Sequence, residues 1–510
     1  MQDESYSRPG RCIGPIKRMS VEQDLIVIGA GPAGISAAVA ASNHGLQVTL
    51  IDEAPSAGGQ IYRATPREWA PKVDKGSDQD LIDGDNLRSL LSKSNVTHLC
   101  EHTVWAVAPG FEVRAVSNTG EVKLSAKKLL VCSGVTERII PFPGWTTPGV
   151  IGLAGCTGLL KAQQLLPGRR PVIAGSGPLL YAVANAIIEA GGKPAAIADL
   201  GSLSDWLGSM PQLLSAPDLL AKGLVWRARI LKANVPVLHR HRVSLARGNE
   251  RVDAVELTPV DAKGAPQTNA QSKQFAADSL IVGHGLIPSL EVTRLLKANH
   301  LFDSDRGGWI PEVDAYQRTS MPDLYAAGDC CGVSGARAAV LSGRIAGLRI
   351  ALDSGALTDA GFSPIYEQVR QQKIRAERFG HQMGKLMSMR PGLIDGLNPD
   401  TIVCRCEDIN LGQLNQAIES GASDCNELKA WTRCGMGPCQ GRTCGEAVAE
   451  LMSRKTGSRE NAGYWTARVP LRPCPIELLA PVCSYDEIWN SDVAKVATAI
   501  LPAENVEYLK

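Results

Sequence analysis

The chain has 510 residues and a mass of 54.2 kDa, with 53 Lys and Arg against 52 Asp and Glu. That length exceeds what one hydrophobic core can fill, so two to four domains are expected. The balanced charge, without long runs of one sign, excludes nucleic acid or an anionic membrane surface as a principal partner.

Residues 1–22 are expected to be an N-terminal extension, with Met19 a second candidate start. They carry two early acids and no apolar run before a cleavage site, so they do not form a secretory signal. The stretch DLIVIGAGPAGISAAVAA (24–41) is about long enough to cross a bilayer. Its glycines, its proline and its opening aspartate instead read as a buried strand, a tight turn and an alanine-rich helix, and no membrane-spanning helix is expected. In such a turn Gly29 permits the bend, Gly31 lets backbone approach a pyrophosphate, and Gly34 lets helix pack on strand. A second strand, QVTLIDE (47–53), ends in acid about 20 residues further on, where a carboxylate can take ribose hydroxyls. Asp52 or Glu53 can serve, with Glu53 preferred.

APSAGGQIYR (54–63) follows, containing Gly59, Gln60 and Arg63, and far downstream comes RTSMPDLYAAGDCCG (318–332), containing Gly328 and Asp329. Together these motifs resemble the FAD-binding elements of the two-dinucleotide-domain flavoprotein superfamily. The resemblance implies that Asp329 bonds the ribityl chain of FAD. It also implies that the helix over 334–352 points its positive end at the isoalloxazine ring. The implied FAD domain is discontinuous, over 23–168 and 280–390.

Between its halves, residues 169–279 are expected to form a second dinucleotide-binding-like domain. A strand and turn carry Gly175 and Gly177, Leu180 stands where a third glycine would be, and Asp199 ends the next strand. The resemblance points to NAD(P)H there, whereas Leu180 would push helix from strand, so a retained structural domain or another nucleotide stays open. The redox CxxC or Cx4C of the disulfide reductases in this superfamily is missing near Gly59 and in the middle domain. Cys156, Cys330, Cys331 and His284 read as packing residues.

Six of the fourteen cysteines fall between 404 and 444. A large chain without an export signal is expected in a reducing compartment, where thiols more often bind metal or lie buried than pair. Asn410 can cap a short helix ended by Gly421, and a second helix puts Cys425, Leu428 and Trp431 on one face, which makes Cys425 core. Four thiolates suit a [2Fe–2S] cluster, and Cys404-x-Cys406 is tighter than a zinc knuckle. CRCED followed by GMGPCQGRTC resembles the [2Fe–2S] domain of the bacterioferritin-associated-ferredoxin type, expected over 398–455, with 456–510 a tail packed on the core. In that family a gap of a little over thirty residues separates the CxC from a close pair. Cys406 to Cys439 leaves 32 residues and Cys406 to Cys434 leaves 27. Cys439 and Cys444 also approach the N-terminus of a helix that would favour an anionic cluster. The expected ligands are therefore Cys404, Cys406, Cys439 and Cys444, with Cys434 a bystander.

The fold expected is α/β, a Rossmann-like flavoprotein of the pyridine nucleotide-disulfide reductase superfamily without its redox disulfide, plus a small helical cluster domain. The order of parts, closed by LRPCPIELLA (471–480), resembles the A subunits of bacterial opine oxidases of octopine and nopaline type. It is also similar to hydrogen cyanide synthase B subunits and to hydroxyproline and proline dehydrogenase α subunits. The resemblance implies work on a small amine together with a partner flavoprotein of the amino-acid-oxidase type, like the B subunits of opine oxidases. It implies oxidation beside nitrogen, imine hydrolysis to arginine and a 2-oxo acid, and passage of single electrons to a respiratory acceptor other than NAD. A cytoplasmic protein, peripheral at the inner face of the membrane, would fit. FMN at a subunit interface and a second nucleotide stay open. A self-sufficient NAD(P)H-dependent ferredoxin-type reductase and a non-catalytic zinc and nucleotide scaffold are the alternatives.

Overall fold

Strand Gln23–Ile28 forms from an unbroken apolar run, with Leu25, Ile26 and Val27 fully buried, as suits a parallel strand covered on both faces. It pairs in parallel with Val48–Ile51 and with Gly120–Val131, and Thr97–Leu99 continues beyond Val48–Ile51. Leu324–Ala326 joins the same sheet against Gly120–Val131, so the sheet is assembled from distant parts of the chain. This computed structural model describes residues 22–64 and 79–476. The expectations for the N-terminal extension and for the tail after 476 lie outside the described residues.

Two helices cover one face through small residues. A Cβ on Gly343 would lie 2.1 Å from the Ala33 carbonyl oxygen, and one on Gly347 would lie 2.3 Å from that of Ala37. Helices Pro32–Ser42 and Ala336–Asp353 therefore touch backbone to backbone. Pro32 opens its helix at a position where its missing N–H costs nothing.

A second parallel sheet runs in the order Val237–His239, Ala196–Asp199, Pro171–Gly175, Ser279–Gly283, Val150–Gly152. The expected boundaries at 168/169 and 279/280 shift accordingly. Val150–Gly152 and the whole of Ser279–Gly283 belong to the middle sheet, because these short strands carry no turn motif that would reveal their partner. Val135–Glu137 and Leu286–Pro288 pair antiparallel as the two crossings between the sheets.

After the long helix Asp359–Leu386 comes a small helical unit. Asn410 and Gln413 form a reciprocal capping box at the start of Leu411–Ser420, and Gly421, at φ +130°, ends that helix. Asp424 caps Cys425–Thr432, and Gly445–Thr456 follows. Leu414, Leu428, Val448 and Met452, all at 0–1% exposure, form its core. Among the described residues no helix is long and apolar enough to cross a membrane.

Candidate functional site

The glycine turn after the first strand is built for close approach. Gly29 has φ +104°, and a Cβ there would lie 2.3 Å from the Cys132 carbonyl oxygen. A Cβ on Gly34 would lie 1.8 Å from the Gly29 oxygen, so the helix can sit on the turn only with glycine there. Gly59, at φ +63°, faces Gly31 across the same space, and a Cβ on Gly328 would lie 2.7 Å from the Ala33 methyl. Gly31 and Gly59 thus face each other across one cradle, with Gly328 against the start of the helix beside it, whereas Gly29 and Gly34 let the strand, turn and helix pack.

The two acids after the second strand divide their work. Asp52 accepts the Ala30 N–H on Oδ2 and the Ala54 N–H, at 2.7 Å, on Oδ1, so it braces the turn from beneath. Burial pushes its carboxyl up, against the pull of those amides. Glu53 is 60% exposed, with Arg472 Nε 3.8 Å from its Oε2. Gln60 is exposed and gives its oxygen to Arg63. Asp329 Oδ1 accepts the N–H groups of Ser334 and Gly335, 3.0 Å each, which fixes the start of helix Ala336–Asp353. Burial pushes the Asp329 carboxyl up, and the two amides oppose that. Cys330 and Cys331 are buried free thiols, Sγ to Sγ 3.9 Å.

The corresponding turn of the middle domain is closed. Gly175 and Gly177 adopt positive φ, +142° and +85°, but the Met387 side chain lies where a Gly177 Cβ would be, 2.3 Å from it. Asp199 is fully buried, and its carboxylate accepts from Tyr181 Oη at 2.8 Å, Trp206 Nε1 at 3.1 Å and Gly201 N at 2.8 Å. Leu180, at 0% exposure, packs in the core beneath the turn. Gly175 therefore retains the geometry of a nucleotide turn, whereas Gly177 and Asp199 are committed to protein contacts. Nothing in the local sequence marks Tyr181, Trp206 or Met387 as the groups that do this. His284 is a buried, neutral imidazole, driven down to about 3 by burial and by Arg138 and Arg242.

In the helical unit, the sulfurs of Cys404, Cys434 and Cys444 lie within 4.8 Å of one another. Cys406 and Cys439 hydrogen-bond each other at the more exposed rim. Five thiols thus gather, and the expected separation of Cys434 as a bystander is not seen in these positions. The cause is local. Arg433 ends its helix at φ +64° and Gly435 turns at φ +89°, which swings Cys434 inward toward Cys404. Hydrogen bonds from Cys434 and Cys444 hold the Cys404 thiol well below the ordinary thiol range. Cys444 sits at the N-cap of Gly445–Thr456, where free N–H groups favour negative charge. An all-sulfur donor set at a helix start fits an anionic iron–sulfur cluster. Cys425, at 2% exposure, is core. Trp465, unsignalled in the sequence, wedges under the loop. A Cβ on Gly441 would lie 1.7 Å from its ring, which is why the loop needs glycine there.

A buried ion network ties this unit to the crossing between the two sheets. Arg138, 2% exposed, donates to Glu446 at 3.3 Å and to the carbonyls of His284, Met387 and Gly307 at 2.8–3.1 Å. Arg459 completes Glu446 at 3.0 Å and reaches Glu450 at 3.3 Å.

Comparison with known proteins agrees with this geometry. Residues 23–355 match the family described as pyridine nucleotide-disulphide oxidoreductase, and residues 402–454 match the BFD-like [2Fe-2S] binding domain. The opine oxidase A subunit of Rhizobium meliloti is 32% identical, across 90% of this chain and 87% of that protein. Hydrogen cyanide synthase subunit HcnB of Pseudomonas protegens is 30% identical, across 92% and 99%. The crystal structure of L-proline dehydrogenase from P. horikoshii has the same fold, with TM-score 0.66 and 22% identity over 90% of this chain and 80% of that one.

Proposed function

The chain belongs to the pyridine nucleotide-disulphide oxidoreductase family, in the group that holds the opine oxidase A subunits and hydrogen cyanide synthase subunit HcnB, and we propose that it is the electron-relaying subunit of an amine-oxidising complex. It is a flavin and iron–sulfur oxidoreductase subunit, with FAD and a [2Fe–2S] cluster as its cofactors. The substrate we favour is an opine of the octopine or nopaline type, cleaved to arginine and a 2-oxo acid. The partner would be an amino-acid-oxidase-type flavoprotein, and the electrons would pass to a respiratory acceptor. When bound, FAD accepts electrons in pairs and the cluster passes them one at a time.

The residues divide the work of holding that chain of carriers. The Gly29–Gly34 turn would bring backbone and the N-terminus of helix Pro32–Ser42 to the pyrophosphate, Glu53 would accept the ribose hydroxyls, and Gly328 and Asp329 would hold the flavin side. Cys404, Cys406, Cys439 and Cys444 would hold the cluster, while Arg138 and Glu446 tie the cluster helix to the crossing strand. No residue of this chain is assigned as the general base, because amine oxidation would occur on the partner.

The observation that supports this reading is the pairing, in one chain, of an open dinucleotide cradle and a thiol cluster with a second nucleotide turn closed by Met387 and Asp199. Such a chain is suited to take electrons from a partner rather than from NAD(P)H. Co-purification with that partner, followed by assay of octopine, nopaline, glycine, proline and hydroxyproline with an artificial acceptor, tests it. Turnover of octopine or nopaline is expected. Turnover of glycine alone would move the reading to hydrogen cyanide synthase, which the 30% identity over 99% of HcnB keeps as the second choice.

A further inference from the structure

The segment after the last helix runs back across the molecule. The Leu471 N–H donates to the Trp105 carbonyl at 2.7 Å, and the Leu471 side chain, 5% exposed, joins the apolar cluster of the flavin-side sheet. The next residue, Arg472, places Nη1 3.0 Å from Glu291 Oε1 and Nε 3.8 Å from Glu53 Oε2. The same Glu291 oxygen accepts Arg442 Nε at 2.6 Å. Arg442 lies between Cys439 and Cys444 and also donates to the carbonyls of Cys439 and Leu471, at 3.2 and 2.7 Å. Gln440 adds a bond to the Pro470 carbonyl at 2.7 Å. Arg472 is therefore held from two sides, by the cysteine loop and by the flavin-side sheet, with its guanidinium beside the acid that ends the second strand.

Arg472 and Glu53 both keep part of their side chains exposed, 27% and 60%. Glu291 is shared by two guanidinium groups and Glu53 faces the second of them, so the two cations and two carboxylates balance. Glu53 is more than half exposed and sits beyond hydrogen-bond distance of Arg472. The glycine turn brings no cation of its own to a ligand whose diphosphate carries two negative charges. A guanidinium offers five donors in a rigid fork suited to phosphate and ribose oxygens.

We propose that Arg472 is a residue of the FAD site, a cation supplied from behind the cluster domain that docks on the adenosine diphosphate half beside Glu53. The proposal rests on the reading of Gly29–Gly34 and Glu53 as the FAD cradle. It makes the flavin site composite, built from the second strand and from a segment more than 400 residues later whose position depends on the cysteine loop.

The test is FAD affinity of the full-length chain, measured by flavin fluorescence on rebinding to flavin-stripped protein, with iron content and the visible cluster absorption read on the same samples. Arg472→Ala should weaken FAD binding about tenfold with cluster content unchanged, Arg472→Lys should recover part of the loss, and the difference from wild type should shrink at high salt. Wild-type affinity in Arg472→Ala would overturn the proposal, and so would loss of cluster and flavin together without rescue by lysine. A wild-type chain that binds no FAD would overturn the cradle reading, and this proposal with it, and is told apart because the wild-type sample itself fails.

Discussion

Single atoms decide much of the cluster site. Five sulfurs compete for four places, and the proposed ligands are Cys404, Cys406, Cys439 and Cys444 although Cys434 Sγ lies among them. Cys439→Ser should abolish the visible and EPR signals of the cluster, whereas Cys434→Ser should keep both; iron analysis of the two purified variants checks this. The reverse outcome would transfer the ligand role to Cys434. In the cradle, Gly34→Ala forces a methyl to within 1.8 Å of the Gly29 oxygen and should destabilise the flavin-side fold by about 2–3 kcal/mol, read from the midpoint of denaturant unfolding. The glycine turn and the cysteine-rich segment were legible in the sequence, because each is marked by residue type at fixed spacing. The inward swing of Cys434 was not, since it depends on Arg433 and Gly435 both turning at positive φ.

Elements meet through buried charge. Glu137, on the crossing strand Val135–Glu137, accepts the Ala154 N–H at 3.1 Å, and burial pushes its carboxyl up to about 7. Its unfolded-state value is near 4.5, so between about pH 4.5 and 7 the folded chain binds more protons than the unfolded one and stability falls as pH rises through that window. Glu137→Gln keeps the acceptor and removes the titration. It should raise the melting temperature at pH 8 relative to wild type and flatten its pH dependence from 5 to 7, as thermal scans across that range would show. Arg138 couples the crossing strand to the cluster helix through Glu446. Arg138→Met leaves Glu446 to Arg459 alone inside the protein and should cost about 3 kcal/mol, measured by denaturant unfolding. The Asn410 cap was readable here, because a cap and the helix it starts are neighbours in sequence. Pairs such as Arg138 with Glu446 or Tyr181 with Asp199 were not, since only the folded chain brings them together.

At the scale of the molecule, an open dinucleotide cradle and a thiol cluster share one chain, with the second nucleotide turn closed between them. The two-sheet plan and the cluster domain were legible from ordered motifs, whereas the closure of the middle turn was not. Leu180 hinted at it, but Met387 comes from the end of a distant helix and Trp206 from a helix without any nucleotide signature. The central claim is that electrons enter from an amine through a partner subunit and leave singly through the cluster. Freeze-quench EPR of the co-purified complex, mixed anaerobically with octopine in one sample and NADH in another, tests it most directly. The expected result is the signal of a reduced [2Fe–2S] cluster after octopine and none after NADH. Rapid appearance of that signal with NADH, and its absence with every amine, would contradict it.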